Sequence, residues 1–173
     1  MNQTGFGKWR KMKKLEKVKD ILRELEKVII AYSGGTDSTL LLKLAVDTLG
    51  KENVLAVTGV SLIYPEEERR LSEKITKDLG VRHIFIQTDE LKNKKFIDNP
   101  PHRCFYCKKE LFSKLKDIAK KYGFKNIIDG TNKDDEKDFR PGEKAKKIFN
   151  VYSPLKEAEI GKEEIRRLSL IHI

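Results

Sequence analysis

The chain has 173 residues, of which 38% are hydrophobic and 37% charged, and its formal net charge is +10. This length fits one domain, or one domain with a fragment of another, and the apolar content suffices for a core. No apolar run approaches the ~20 residues that a helix needs to span a bilayer, and the polar, basic start excludes a secretory signal peptide. We therefore expect a cytoplasmic protein without a membrane partner.

The positive charge raises the question of a nucleic-acid partner. Residues 1–27 hold nine basic and four acidic side chains, whereas later lysines are interleaved with glutamate and aspartate. A concentrated basic face is the electrostatic signature of nucleic-acid binding. Interleaved charges favour a solvated lysine surface instead, so transfer RNA is the less favoured partner.

The first predicted element is an amphipathic helix over about Met12–Lys27, which follows ten residues that look disordered. Its apolar side chains recur at steps of three and four residues, as a helix with one buried face requires. They are Leu15, Val18, Leu22 and Leu25.

A glycine loop follows the first predicted strand, Val28–Tyr32, and precedes a predicted helix over Asp37–Leu49. This order gathers backbone N–H groups and a helix N-terminus at one point, which makes an anion site. The glycines allow a phosphate to approach closely, two serines add hydroxyl donors, and Asp37 adds a carboxylate suited to Mg²⁺. The alternative is a tight turn in which Asp37 or Ser38 only caps the helix. The candidate binding residues here are Ala31, Ser33, Gly34, Gly35, Asp37 and Ser38.

Strands and helices alternate along the rest of the chain. This order is typical of an α/β fold, a three-layer arrangement with a parallel sheet and helices on both faces. Ligands bind at the carboxyl ends of such strands, so we expect Ser61, Gly130 and Asn132 to join the glycine loop at one pocket. The predicted elements are strands at 54–60, 82–88, 126–130 and 151–155, and helices after Pro65 and Arg103.

Cys104 and Cys107 form a Cys-x-x-Cys pair after two prolines, Pro100 and Pro101, which permit a helix only beyond them. On that helix the two thiols share a face near its positive end, where thiolates are favoured. A pair at this spacing supplies two ligands to zinc or to an iron–sulfur cluster. The alternative is two cysteines that pack beside the leucines of the helix, and local chemistry leaves both interpretations open.

The segment Ser33–Ser38 reads SGGTDS, and on this motif the chain resembles the PP-loop ATP pyrophosphatases. It has neither the lysine of a Walker A loop nor a Gly-x-Gly-x-x-Gly dinucleotide turn. The resemblance implies cleavage of ATP between its α and β phosphates, with the loop holding pyrophosphate and Asp37 serving Mg²⁺. It also implies the strand order 3-2-1-4-5 and an adenine seat against the ends of the first two strands.

Further stretches resemble the LarE branch of this superfamily, whose members transfer sulfur. They are the Cys-x-x-Cys between basic residues and the segments 129–135, 139–142 and 151–155. The resemblance implies adenylation of a carboxylate of a pyridinium mononucleotide, followed by thiolation, in nickel-pincer cofactor synthesis. It implies catalytic roles for Asp37 and for Arg140, which could reach a phosphate. In some members cysteines hold an iron–sulfur cluster, which makes Cys104 and Cys107 candidate ligands of a [4Fe–4S] cluster.

On this resemblance the chain divides into a basic arm with its helix, a PP-loop ATP-binding domain and the start of a C-terminal region. From Ser169 the amphipathic pattern breaks, and the family's next cysteine-bearing segment is absent, so we expect a truncated chain and, for a full-length protein, a homo-oligomer. The alternatives are a tRNA-thiolating PP-loop enzyme and a non-catalytic nucleotide-binding module. The expected segments are 1–27, 28–155 and 156–173.

Overall fold

Apolar runs of the sequence form a five-stranded parallel sheet in the structure, which is a computed structural model. The central strands are buried on both faces, and each contains consecutive apolar residues rather than an alternation of apolar and polar ones. The sheet order is β3-β2-β1-β4-β5, so the predicted α/β class and strand order are confirmed. The strands are β1 (Val28–Ala31), β2 (Val54–Val60), β3 (Arg82–Gln87), β4 (Asn126–Asp129) and β5 (Val151–Tyr152).

The helices occupy the connections between these strands and both ends of the described chain. They are α1 (Gln3–Leu25), α2 (Thr36–Leu49), α3 (Glu66–Asp78), α4 (Lys94–Asp98), α5 (Arg103–Tyr122), α6 (Gly142–Phe149), α7 (Pro154–Glu157) and α8 (Lys162–His172). The structure describes residues 3–62, 64–89, 92, 94–98, 100–137 and 141–172. The prediction for Arg140 therefore lies outside the described residues.

Three elements differ from the sequence-based expectation. Helix α1 begins at Gln3, so disorder over residues 3–10 is wrong; lysine and arginine are good helix formers and extend the helix beyond its buried face. Strand β5 ends at Tyr152 because Pro154 starts α7, a position that proline tolerates well. Helix α8 continues through Ser169 to His172, with Leu170 and Ile171 exposed.

Two apolar clusters hold the helices against opposite faces of the sheet. On one face α1, α2 and α8 bury Val18, Leu41 and Ile165 against β1 and β2. On the other face α5 buries Phe112 and Leu115 against the alternate residues of β1, β2 and β4. The sheet therefore forms the middle of three layers, as predicted. None of the helices in the described part of the chain is long and apolar enough to cross a membrane.

The strand register places the carboxyl ends of β1 and β4 side by side, and β2 continues beyond them at the same edge of the sheet. Ala31 of β1 pairs with Val57 of β2 on one side and with Asp129 of β4 on the other. The chain after β1 turns into α2, and the chain after β4 passes beside the start of that helix. Ligand sites of parallel sheets lie at this edge.

His83 on β3 is expected to make the stability of the fold depend on pH. Its Nε2 lies 2.7 Å from Thr58 Oγ1 and its Nδ1 lies 3.1 Å from Thr76 Oγ1. Burial, opposed in part by Glu73, lowers the pKa of His83 to about 4. Between that value and about 6.5, the unfolded chain binds a proton that the folded chain does not, so stability falls as pH falls through this window. Because the ring is partly exposed, we expect a loss of about 2 kcal/mol rather than the full linkage value.

Chemical denaturation at pH 7.5 and pH 4.5 tests this expectation. The free energy of unfolding should fall more for the wild-type chain than for His83→Asn, which removes the titrating ring. The exposed His102 offers a matched control, and His102→Asn should follow the wild type. Equal losses in the wild type and His83→Asn would show that the buried imidazole does not set the pH dependence.

Candidate active site

The glycine loop between β1 and α2 is braced by its own serines. Ser33 Oγ lies 3.0 Å from Ser38 Oγ and accepts a 3.3 Å hydrogen bond from the Gly35 N–H, while Ser38 Oγ donates to the Gly35 carbonyl at 3.2 Å. Gly34 has a φ of 81°, a conformation that a residue with a Cβ rarely adopts. The chain therefore needs glycine at this position to turn from the strand into the helix.

The first turn of α2 is open to an anion. Gly35 occupies the cap position and makes no side-chain hydrogen bond to the helix. The first N–H groups of a helix lack intrahelical partners, and here no capping side chain takes them. Neither Asp37 nor Ser38 occupies the cap, so the simple capping alternative does not describe this loop.

Asp37 is tied to the segment after β4. Its Oδ2 accepts a 2.6 Å hydrogen bond from Asn132 Nδ2, and the Asn132 side chain is fully buried. Asn132 Oδ1 in turn accepts the backbone N–H groups of Asp134 at 2.8 Å and Asp135 at 3.3 Å. The structure thus brings together two residues that lie far apart in the chain and that the sequence pattern placed at one pocket.

Gly130 lies where β4 meets the start of α2. A Cβ atom at Gly130 would lie 2.8 Å from Ser38 N and 2.9 Å from Ser38 Cα, closer than side chains pack against backbone. The glycine therefore permits contact between two backbone segments that both border the pocket. This is a close-approach requirement, and no local pattern around Gly130 indicates it.

A cavity of about 630 Å³ opens above the loop; we refer to it as the loop cavity. A second cavity of about 230 Å³, the strand-end cavity, lies at the ends of β1 and β2 and includes Val57, Thr58 and Tyr64. Pockets of this combined size hold small ligands. The two cavities share Ala31, Ser33, Lys108 and Leu111. The other residues of the loop cavity are Gly35, Thr36, Asp37, Ser38, Phe112, Asp129, Gly130, Thr131, Asp135, Lys162 and Arg166.

The carboxylates of the loop cavity differ in whether a cationic side chain lies beside them. Asp129 Oδ2 lies 3.5 Å from Lys146 Nζ, and Asp135 Oδ1 lies 3.6 Å from Lys162 Nζ. Asp37 has no cation within ion-pair distance among the residues that the structure describes. An unneutralised carboxylate beside phosphate-binding N–H groups fits Mg²⁺, which takes one or two carboxylates together with phosphate oxygens. Asp37 is therefore the carboxylate of this cavity best suited to Mg²⁺.

Not all of the residues predicted for the site line these two cavities. Ser61 follows β2, its carbonyl accepts the Tyr64 N–H at 3.1 Å, and it lines neither cavity. Asp134 accepts the Lys162 N–H at 2.7 Å and so fixes the start of α8. Burial raises the pKa of Tyr64, which keeps a neutral phenol on the wall of the strand-end cavity.

Cys104 and Cys107 lie on the first turns of α5, as predicted. Cys104 is exposed, Cys107 is partly buried and lines the strand-end cavity, and neither forms a disulfide. A zinc site or a cluster needs more than two protein ligands. Among the residues that the structure describes, no group of three or more His, Cys, Asp or Glu side chains could hold a metal ion. The described donors therefore do not complete a cluster site.

Sequence reasoning missed several residues that line the loop cavity. Lys108 belongs to α5, Lys162 and Arg166 belong to α8, and Asp129 closes the cavity from the end of β4. Their only sequence signal was their position at a carboxyl strand end or on a helix whose packing was unknown. Tertiary structure alone brings the two helices to the loop.

The NAD synthase family model matches residues 11–100 of the chain. Among curated relatives, an uncharacterized protein from Synechocystis is 42% identical over 156 residues, which is 90% of this chain and 58% of that protein. Pyridinium-3,5-bisthiocarboxylic acid mononucleotide synthase from Lactiplantibacillus plantarum is 38% identical over 148 residues, which is 86% of this chain and 54% of the enzyme. The chain thus spans a little over half the length of these relatives.

Solved structures share the fold at lower identity. The NH3-dependent NAD synthetase from Campylobacter jejuni matches with a TM-score of 0.70 and 20% identity, over 93% of this chain and 72% of its own. The U34-tRNA thiolase NcsA from Methanococcus maripaludis, solved with its [4Fe-4S] cluster, matches with a TM-score of 0.68 and 18% identity, over 98% and 66%. With a family match over 90 of its 173 residues, the chain belongs to the NAD synthase family of PP-loop ATP pyrophosphatases.

Proposed function

We propose that this chain is the adenylating part of an ATP-dependent sulfur transferase of the LarE type. The observation that carries the proposal is Asp37, a carboxylate with no ion-pair partner among the described residues, at the open N-terminus of α2 in a cavity continuous with an apolar seat at the strand ends. The relative that makes a pyridinium bisthiocarboxylic acid mononucleotide supports the acceptor class, a carboxylate of a pyridinium mononucleotide. A cytoplasmic location and a homo-oligomeric state remain predictions.

In the proposed reaction, a carboxylate oxygen of the acceptor attacks the α-phosphorus of ATP. A bond forms between that oxygen and phosphorus, the bond to the bridging α–β oxygen breaks, and pyrophosphate leaves with the bonding electrons. The N–H groups of the loop and of the first turn of α2 hold the leaving pyrophosphate and stabilise its growing charge. Mg²⁺ on Asp37, when bound, adds electrostatic stabilisation of the same charge.

The two adjoining cavities can hold different parts of the nucleotide. We infer that adenine occupies the strand-end cavity and the phosphates the loop cavity, so that Lys108, which lines both, lies nearest the α-phosphate. An ammonium group there would offset the negative charge of the phosphoryl oxygens in the pentacoordinate transition state. Arg140 keeps its proposed role at a phosphate, and Ser61 is proposed to contact the nucleotide after a local movement.

Thiolation is the second half of the proposed activity. Cys107 borders the strand-end cavity, and its neighbour Lys108 lines both cavities, which supports a place for a thiol on the wall of the proposed nucleotide site. Two thiols do not complete a cluster, so a [4Fe–4S] group on Cys104 and Cys107 would need a third ligand from residues other than those described.

A second candidate function, thiolation of transfer RNA, is favoured by one basic groove. It holds about 470 Å³ between α1, the segment after β4 and the connection from α7 to α8, and its lining contains a single carboxylate among the described residues, that of Glu159. Trp9 lies 69% exposed near this groove, with Lys13 Nζ 5.9 Å from its ring centre. Basic grooves with exposed aromatic rings bind single-stranded nucleic acid. The basic lining residues are Arg10, Lys13, Lys14, Lys17 and Lys133.

An isotope-exchange experiment tests the proposal and separates the two candidates. Labelled pyrophosphate should enter ATP when the chain, Mg²⁺ and nicotinic acid mononucleotide, a pyridinium carboxylate, are combined, because adenylation is reversible. Transfer RNA replaces the mononucleotide in a parallel reaction. Exchange with the mononucleotide alone supports the first function, and exchange with transfer RNA alone supports the second. Tight ATP binding without exchange under either condition would favour a non-catalytic nucleotide-binding module.

A further inference from the structure

Lys146 on α6 is a buried lysine behind the loop cavity. Its side chain is 5% exposed, and its Nζ lies 3.0 Å from Thr131 Oγ1, 3.0 Å from Glu143 Oε1 and 3.5 Å from Asp129 Oδ2. Burying an ammonium group is costly unless it is paired and hydrogen-bonded. Thr131 Oγ1 accepts a hydrogen bond from Nζ and the two carboxylates lie within ion-pair distance of it, so this lysine is held in one place by its surroundings.

Among the described residues, the cluster around Lys146 contains equal numbers of positive and negative groups. Glu143 also lies 3.3 Å from Lys156 Nζ, which gives two carboxylates and two ammonium groups in contact. Burial alone would raise the pKa of Glu143, but hydrogen bonds and charges from Lys146 and Lys156 outweigh burial and lower it. Glu143 therefore stays ionised, and the positive charge of Lys146 also lies beside the Asp129 carboxylate.

Asp129 connects this cluster to the loop cavity. It is buried, and its carboxylate accepts hydrogen bonds from Ser153 Oγ at 2.7 Å, from Thr131 Oγ1 at 2.9 Å and from the Thr131 N–H at 3.2 Å. Asp129 and Thr131 both line the loop cavity, and Gly130 between them touches the start of α2. The position and charge of this segment therefore depend on Lys146.

We propose that Lys146 is a positioning residue for nucleotide binding, because it neutralises Asp129 and fixes Thr131 on the wall of the loop cavity. Without this lysine, the Asp129 carboxylate would repel the polyphosphate that the loop must hold. The effect is electrostatic and short in range, so it acts on phosphates rather than on the nucleoside. The inference rests on the proposed function, since it concerns the binding of ATP to that cavity.

Calorimetric titration with Mg–ATP tests the role of Lys146. Lys146→Met, which keeps much of the side-chain volume but removes the charge, should raise the ATP dissociation constant about tenfold or more, as removal of one partner of a buried ion pair leaves the other uncompensated. A second change, Asp129→Asn, should restore most of that affinity, because the amide keeps an acceptor for Ser153 but carries no charge. Lys147→Met, at the exposed neighbour on α6, serves as the matched control and should bind like the wild type.

Two further measurements separate the loss of the Lys146 charge from a general disturbance of the fold. Adenosine should bind equally well to the wild type and Lys146→Met, whereas a general disturbance of the fold would weaken adenosine as well. Lys146→Arg, which keeps the charge, covers the case in which Lys146→Met does not fold, and it should bind ATP within about threefold of the wild type. Unchanged ATP affinity in Lys146→Met, or a double variant no better than the single one, would overturn the inference. A wild-type chain that binds no ATP would instead overturn the proposed function.

Discussion

Replacing Asp37 by asparagine is expected to lower the rate of pyrophosphate release by about 100-fold or more. Metal ions stabilise transition-state charge by several kcal/mol, and each 1.4 kcal/mol corresponds to about a factor of ten in rate. Asparagine keeps the shape of the side chain and can still accept the hydrogen bond from Asn132. The substitution therefore removes the charge that favours Mg²⁺ while leaving the loop in place. Coupled-enzyme detection of pyrophosphate measures the effect.

Asp47 provides a control on the same helix. It is exposed and pairs with Lys43 at 2.6 Å, far from the loop cavity. Asp47→Asn should release pyrophosphate at the wild-type rate, since an exposed ion pair contributes little even to stability. If Asp37→Asn and Asp47→Asn behaved alike, Asp37 would have no special part in the reaction.

Introducing a methyl group at Gly130 is expected to damage both stability and nucleotide binding. The new Cβ in Gly130→Ala would lie within 3 Å of two backbone atoms of Ser38, and a backbone neighbour cannot rotate away. Overpacking of this kind typically costs about 1–3 kcal/mol. For a chain of this size, the melting temperature should fall by about 2–4 °C for each kcal/mol. Because α2 must shift to relieve the contact, we also expect ATP affinity to fall about tenfold.

Thermal unfolding and calorimetry with ATP measure these two effects. At Gly7 on α1, a Cβ atom would meet no other atom within 4 Å, so Gly7→Ala should leave ATP affinity unchanged and slightly raise stability. Retention of both melting temperature and affinity in Gly130→Ala would show that β4 and α2 are not in the required contact.

The sequence predicted the sheet well because its buried strands are apolar runs of ordinary strand length. Strand β2 has the predicted bounds Val54–Val60, and β1 ends at Ala31, one residue before the predicted end at Tyr32. Strand β5 was harder to define, because two residues followed by Ser153 and Pro154 do not show where extended chain ends. Helix α6 was not predicted, because its eight residues are fewer than the window of about 11–18 residues over which a helical period can be recognised.

The local part of the site was predictable, and the part built by tertiary contact was not. Ser33–Ser38 is contiguous, so the loop and its phosphate chemistry can be read from one segment. The pairing of Asp37 with Asn132 followed from the rule that carboxyl strand ends converge. The role of Lys146 depends on which face α6 turns toward β4, and no periodicity in the sequence contains that information.

The structure of the chain with Mg²⁺ and a non-hydrolysable ATP analogue, α,β-methylene-ATP, tests the central claim most directly. The account predicts adenine at the ends of β1 and β2, the β and γ phosphates on the N–H groups of Ser33–Ser38, and Mg²⁺ between Asp37 and the phosphates. A nucleotide bound in any other place, or phosphates held away from this loop, would contradict it.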